Sequence, residues 1–329
     1  MTATQEQKYV AARPAPLART FGWGMLALLT AFAINNVLIA GYGFPGAMAI
    51  VSEFSRPALI NLIVYIGFLT AAALFVKNSP QRTLREDAMR IHYFNAYLIR
   101  ACFWIVLLVG IVDALIALGR VESFMDRLFD ETMVSNLGRA SFVGMYVHMP
   151  LVAAGIAIAL FTRTLGFHWL ALMIVAAELG IVISRFVFSY EQALMGDLVR
   201  YWYAALFLFA SAYTLFEDGH VRVDVIYAGL GRTTKGYLNA WGTILLGMST
   251  AWVIIWIGFN GKTSIINSPI MNFEVTQSGT TGMYVKYQMA AFLGIFAITM
   301  LIQFISYFLE AVADWRDEGG NRKVFPTAH

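Results

Sequence analysis

Apolar runs of about twenty residues alternate with short polar connections along the whole chain. The runs lie near 20–41, 57–76, 93–118, 141–162, 167–188, 198–216, 237–258 and 285–310. Each is long enough to cross about 30 Å of hydrocarbon as a helix. Only helices and closed barrels satisfy their own backbone groups in lipid. The pattern therefore predicts an all-α, polytopic integral membrane bundle of about eight transmembrane helices. Two connections carry a helical period of their own. In "VESFMDRLFDETM", Val121, Phe124, Met125, Leu128, Phe129 and Met133 recur at three and four residues, with Glu122, Asp126, Arg127, Asp130 and Glu131 on the other face. That spacing predicts an interfacial amphipathic helix. A shorter one is expected where Val225, Ile226, Gly229 and Leu230 share a side.

Composition agrees with the pattern. Of 329 residues, 59% are hydrophobic and only 13% charged, against about a quarter charged in soluble domains. Basic residues set the orientation. One set of connections holds Lys8, Arg13, Arg19, Lys77, Arg82, Arg85, Arg90, Arg163, Arg222, Arg232, Lys235, Arg316, Arg322 and Lys323; the other holds Arg56, Arg120, Arg127, Arg139, Lys262 and Lys286. The excess places both termini on the cytoplasmic side. The first apolar run is too long for a signal-peptide core and is read as a retained membrane helix. The tail "GGNRKVFPTAH" is expected to be mobile. The single cysteine, Cys102, excludes an intrachain disulfide and any multi-cysteine cluster. Scattered basic residues give no nucleic-acid footprint.

Charges inside the spans each need a reason, since a carboxylate or guanidinium at mid-helix costs about 2.5–3.5 kcal/mol. Glu178 and Arg185 share a face of the fifth span, about 10 Å apart. Both are read as structural, pairing with groups on another helix. Arg100 and Asp113 lie closer to the ends of the third span and are expected to snorkel. His92, His168 and His220 map to cytoplasmic helix ends, and His148 lies inside the fourth span. A bis-histidine haem needs two imidazoles facing at one depth, which keeps a membrane redox subunit as an alternative reading. Mid-span Pro150 and Asn35–Asn36 keep a stand-alone secondary transporter as another, since such transporters interrupt their helices. No G-x-x-x-x-G-K, H-E-x-x-H or G-x-S-x-G occurs. The chain reads as a non-enzyme without a cofactor or metal site. "GMYV" at 144–147 and 282–285 hints at a duplication of four helices.

"EDGHVRVDVI" at 217–226 stands directly after the aromatic-rich sixth span. His220, Arg222 and Asp224 alternate with Val221, Val223 and Val225, so an extended turn would part polar groups from valines. This is a water-side joint rather than a catalytic triad. From residue 167 onward the chain resembles the small permease subunit of tripartite ATP-independent periplasmic (TRAP) transporters, the DctQ-like family. The resemblance rests on Asp197 and Arg200 opening the sixth span, on the HVRVD signature with His220, Arg222 and Asp224, and on "NFEVTQSGTTG" with Glu274, Ser278 and Gly282. The proline that often opens the last helix of the family is missing from "MYVKYQMAAF".

With the spans and the basic residues, the resemblance divides the chain into a cytoplasmic tail at 1–19, an extra four-helix region at 20–162, a DctQ-like four-helix small-permease domain at 163–315 and a second cytoplasmic tail at 316–329. It also implies a scaffold in the bacterial inner membrane beside a large elevator-type permease subunit. That subunit would carry sodium-coupled uptake of an organic acid or similar solute, delivered by a periplasmic substrate-binding protein. The signature residues would then serve subunit or lipid contact.

Overall fold

The computed structural model describes residues 13–52, 54–163, 166–217, 225–276 and 279–320. Eight helices among them are long and apolar enough to span a membrane. They are α1 (Pro16–Tyr42), α2 (Arg56–Asn78), α3 (Leu84–Val121), α4 (Ala140–Phe161), α5 (Phe167–Phe188), α6 (Ala193–Phe216), α7 (Arg232–Gly258) and α8 (Lys286–Trp315). All eight predicted spans are present, and α3 starts nine residues earlier than its apolar run near 93–118. The added turns are polar, which hydropathy misses. A capping box holds them: Glu86 N–H donates to Thr83 Oγ1 at 3.2 Å, and Thr83 N–H donates to Glu86 Oε2 at 3.0 Å.

Other helix ends follow local chemistry in the same way. Pro16 opens α1, where its missing N–H costs nothing. Gly43, left-handed at φ 70°, closes α1, with its N–H on the Ile39 carbonyl and the Phe44 N–H on that of Leu38. Ser55 caps α2 by accepting the Ala58 N–H. In α4 the turn 143–148 widens to a π-helix just before Pro150, and α7 carries a second π segment at 243–248. Pro150 therefore does not interrupt α4. Asn35 likewise sits in continuous helix, its Nδ2 donating to the Asn61 carbonyl at 3.0 Å.

The chain groups into two compact units, one of residues 1–95, 214–253 and 300–329, the other of 96–213 and 254–299. In the first, Gly22 lets α1 approach Ile305 and Leu309 of α8, and Gly236 packs directly on the backbone of Ala311–Trp315. In the second, Trp202 of α6 is almost wholly buried against α3. Its indole N–H reaches the Val106 carbonyl at 3.1 Å through the space that Gly110 leaves open.

The connection after α3 departs from the expected single amphipathic helix. Ser123 takes a left-handed φ of 54° and ends the helical path. A 3-10 turn at Met125–Arg127 and a short helix at Glu131–Leu137 follow. The reason is packing: Met125 turns inward against Gly119, which a continuous surface helix would forbid, while Leu128 and Phe129 stay exposed. After residue 224 there is one helical turn, Val225–Ala228, with Val225 and Ile226 exposed. The first GMYV lies inside α4, within its π segment, whereas the second is non-helical chain leading into α8.

Gly110→Val should place two methyls in the volume of the Trp202 indole. A loss of about 1–3 kcal/mol is expected from such overpacking, seen as a lowered midpoint of thermal unfolding in detergent.

Candidate functional site

Five buried side chains of α3, α4, α6 and α8 form one hydrogen-bonded chain in the second unit. Tyr201 donates to Gln288 Oε1. Gln288 Nε2 donates to Tyr287 Oη at 3.0 Å. Tyr287 Oη lies 2.9 Å from His148 Nδ1, and His148 Nε2 lies 3.2 Å from Asp113 Oδ1. The second Asp113 oxygen accepts the Tyr284 N–H at 2.6 Å. One tautomer satisfies every link, with His148 protonated on Nε2 and accepting at Nδ1 from Tyr287. Asp113 and His148 have no exposed surface. Asp113 is thus not a snorkelling residue, because α3 continues to Val121 and leaves it two turns inside the helix.

Arg120, seven residues further on α3, completes the arrangement. Its guanidinium donates to the carbonyls of Gly282 at 2.7 Å, Thr280 at 3.2 Å and Leu137 at 3.3 Å, and lies 3.8 Å from the Tyr284 ring centroid. Tyr284 Oη in turn donates to the Gly138 carbonyl at 2.8 Å. Burial pushes the Tyr284 phenol above its ordinary value, Asp113 adds to the rise and Arg120 opposes it. Two α3 side chains on one face therefore clamp the segment that opens α8. An apolar cavity of about 230 Å³ borders this network, lined among others by Cys102, Phe209, Phe292 and the Tyr287–Gln288 pair.

The residues singled out in the sequence fall into three groups. Asp197, Glu274 and Gly282 all meet the loop before α8. Asp197 is buried, and its Oδ2 accepts from the Met283 N–H and from Thr276 Oγ1, each at 3.1 Å. Glu274 pairs with Lys286 at 2.6 Å, and Gly282 supplies a carbonyl to Arg120. Arg200 is exposed, with a guanidinium nitrogen 3.9 Å from Asp197. Glu178 and Arg185 are exposed on α5, Arg185 pairing with Glu191 at 3.3 Å. His220, Arg222, Asp224 and Ser278 lie outside the described residues.

The first unit holds a second polar set. Arg19 of α1 is buried and donates to Asp87 at 2.6 Å and to the Ser79 carbonyl at 2.6 Å, while Trp23 donates to the same Asp87 oxygen at 3.0 Å. Arg85 pairs with Glu310 and with Asp314 at 2.8 Å, and Arg232 reaches Asp314 at 2.9 Å and Asp317 at 3.2 Å. His92 is engaged by Gln303 at 3.0 Å and stacks on Phe216. Among the described residues, no three of His, Cys, Asp and Glu gather as a metal ion would require.

Sequence reasoning missed Asp113–His148 and Arg19–Asp87 as pairs. For Asp113–His148 the available signal was the mere presence of a carboxylate and an imidazole inside apolar runs, which names the residues but not their partners; Arg19 and Asp87 lie outside those runs and gave none.

The eight spans among the described residues, several of them joined by buried hydrogen bonds, define a multi-pass helical membrane protein. Residues 171–315, less than half of the chain, match the family model described as "Tripartite ATP-independent periplasmic transporters, DctQ component". Four further helices long and apolar enough to span a membrane precede the matched region. Neither the curated proteins nor the solved structures gave a match.

Asp113→Ala should leave His148 Nε2–H and the Tyr284 N–H without acceptors. It is expected to cost about 3 kcal/mol, read as a drop in thermal unfolding midpoint. Asp113→Asn should lose less, because His148 can take its other tautomer and donate toward Tyr287.

Proposed function

We propose that the chain is the small, static membrane subunit of a TRAP-type secondary transporter. The observation that carries this reading is the family match over 171–315. In this role residues 163–315 form the small-permease region, and the spans at 20–162 widen it. The chain packs against a large elevator-type permease subunit, which carries the substrate and sodium sites. A periplasmic binding protein delivers an organic acid or similar small solute. The complex resides in a bacterial inner membrane with both termini cytoplasmic, as the distribution of lysine and arginine favours.

The internal bonding supports a scaffold rather than a pump. Asp87 is committed to Arg19, Asp113 to His148 and Tyr284, and Asp197 to the loop before α8. Groups held this way fix the positions of helices instead of moving protons or ions. On the same reading Asp197, Glu274 and Gly282 shape the outer loop. Arg200, Arg222 and Asp224 serve headgroup or subunit contact, and His220 and Ser278 join them as signature positions.

Affinity purification from the native membrane in mild detergent, followed by mass spectrometry, tests the reading. One larger polytopic chain in constant ratio is expected. Sodium-driven uptake in liposomes should require both chains and the binding protein. Uptake by this chain alone would overturn the proposal in favour of a stand-alone transporter.

A further inference from the structure

Of the eight spans among the described residues the fifth is the least covered: 6% of its most apolar stretch is buried, against 50% for α8. Only Leu170 and Ile174 are buried along Phe167–Phe188. Its uncovered side carries large apolar residues that suit lipid, among them Trp169, Leu172, Leu179, Ile183 and Phe186, and beside them one row that includes charges. Ala171, Val175, Glu178, Val182 and Arg185 follow one another at spacings of four and three residues, the pattern that meets a neighbouring helix along a seam. Val175 and Val182 are 64% and 48% exposed.

Glu178 stands at the centre of that seam. It lies eleven residues from the start of α5 and ten from its end, about 15 Å from either, beyond the reach of its side chain to water. It is exposed and has no hydrogen-bond or ion-pair partner among the described residues. Arg185, two turns on, is engaged by Glu191 near the helix end. A carboxylate facing hydrocarbon at this depth is costly and is relieved by a cation or donor on a neighbouring helix. α2 makes the contrast: it is nearly as uncovered, with 11% of its stretch buried, yet its exposed Ile60, Ile63, Ile66 and Leu69 include no charge and suit lipid directly.

We propose that the Ala171–Arg185 face of α5 is the docking seam for a membrane helix of the large permease subunit, and that this helix presents a lysine or arginine to Glu178 at mid-bilayer depth. The assignment rests on the scaffold reading above and adds the surface and its chemistry. Charge complementarity selects this occupant over a second copy of the chain. Two copies share one orientation in the membrane, so a symmetric crossing on this seam would set Glu178 against Glu178.

Site-specific photo-cross-linking in native membranes tests it, with a benzophenone amino acid placed at Val175, at Val182 or, for comparison, at Ile63. Adducts to one larger polytopic chain are expected from Val175 and Val182 and not from Ile63. The cross-linked peptide should lie within one helical turn of a lysine or arginine. Glu178→Lys should cut adduct yield by at least about fivefold, since a lost ion pair of about 1 kcal/mol already gives that factor. Glu178→Leu, which enters lipid more readily than the native residue, should cut it likewise while the protein remains in the membrane. Adducts from Ile63 alone, with the larger chain still co-purifying, would overturn the seam and leave the scaffold reading standing. Adducts of twice this chain's mass would overturn the choice of partner. Absence of any larger chain in the wild-type purification would remove the scaffold reading itself.

Discussion

A carboxylate without access to water must find its donors inside the protein, and Asp113 shows how far that demand shapes the fold. Its two oxygens are shared between an imidazole on α4 and the backbone ahead of α8. Because His148 then needs a donor at its other nitrogen, Tyr287 has to approach, and Tyr287 in turn engages Gln288 and Tyr201. One buried charge thus recruits side chains from four helices. In a low-dielectric interior each unmade link would cost about as much as several made ones contribute. The network therefore acts as a register device: sliding any of the four helices by a turn would orphan a polar group.

Arg120 extends the same logic to the loop at 279–285. Helical spacing sets it on the face of Asp113, and its donors take three carbonyls that have no helical partner. Asp197 meets this loop from α6 through the Met283 N–H and Thr276. The segment that opens α8 is thereby fixed by one cation and two carboxylates, without a proline in "MYVKYQMAAF". In the first unit Arg19 and Asp87 play the corresponding part, joining α1 to the first turns of α3.

Against these paired carboxylates, α5 stands apart. Its charges are not turned inward, and Glu178 is a mid-span carboxylate for which the described residues supply no donor. A subunit that docks within the membrane, as proposed above, keeps one face incomplete until its partner arrives. The physical sign of such a face is an uncompensated polar group at a depth where lipid offers nothing in exchange.

The eight spans were legible in the sequence because a membrane helix depends on its own residues alone: length, hydropathy and intrahelical hydrogen bonds are local properties. The DctQ-like motifs were legible because they stand at the ends of those helices. The amphipathic helix at 121–133 was misread because Ser123 and Met125 answer to the packing of Gly119, a contact that periodicity does not contain. Asp113 was misplaced for a similar reason, since hydropathy ended α3 too early. What the sequence determined by itself was the number and course of the helices and the cost of each charge within them. Only the tertiary structure decided which charges meet, because a partner for a buried ion lies on another helix, at a depth and rotation that packing alone sets.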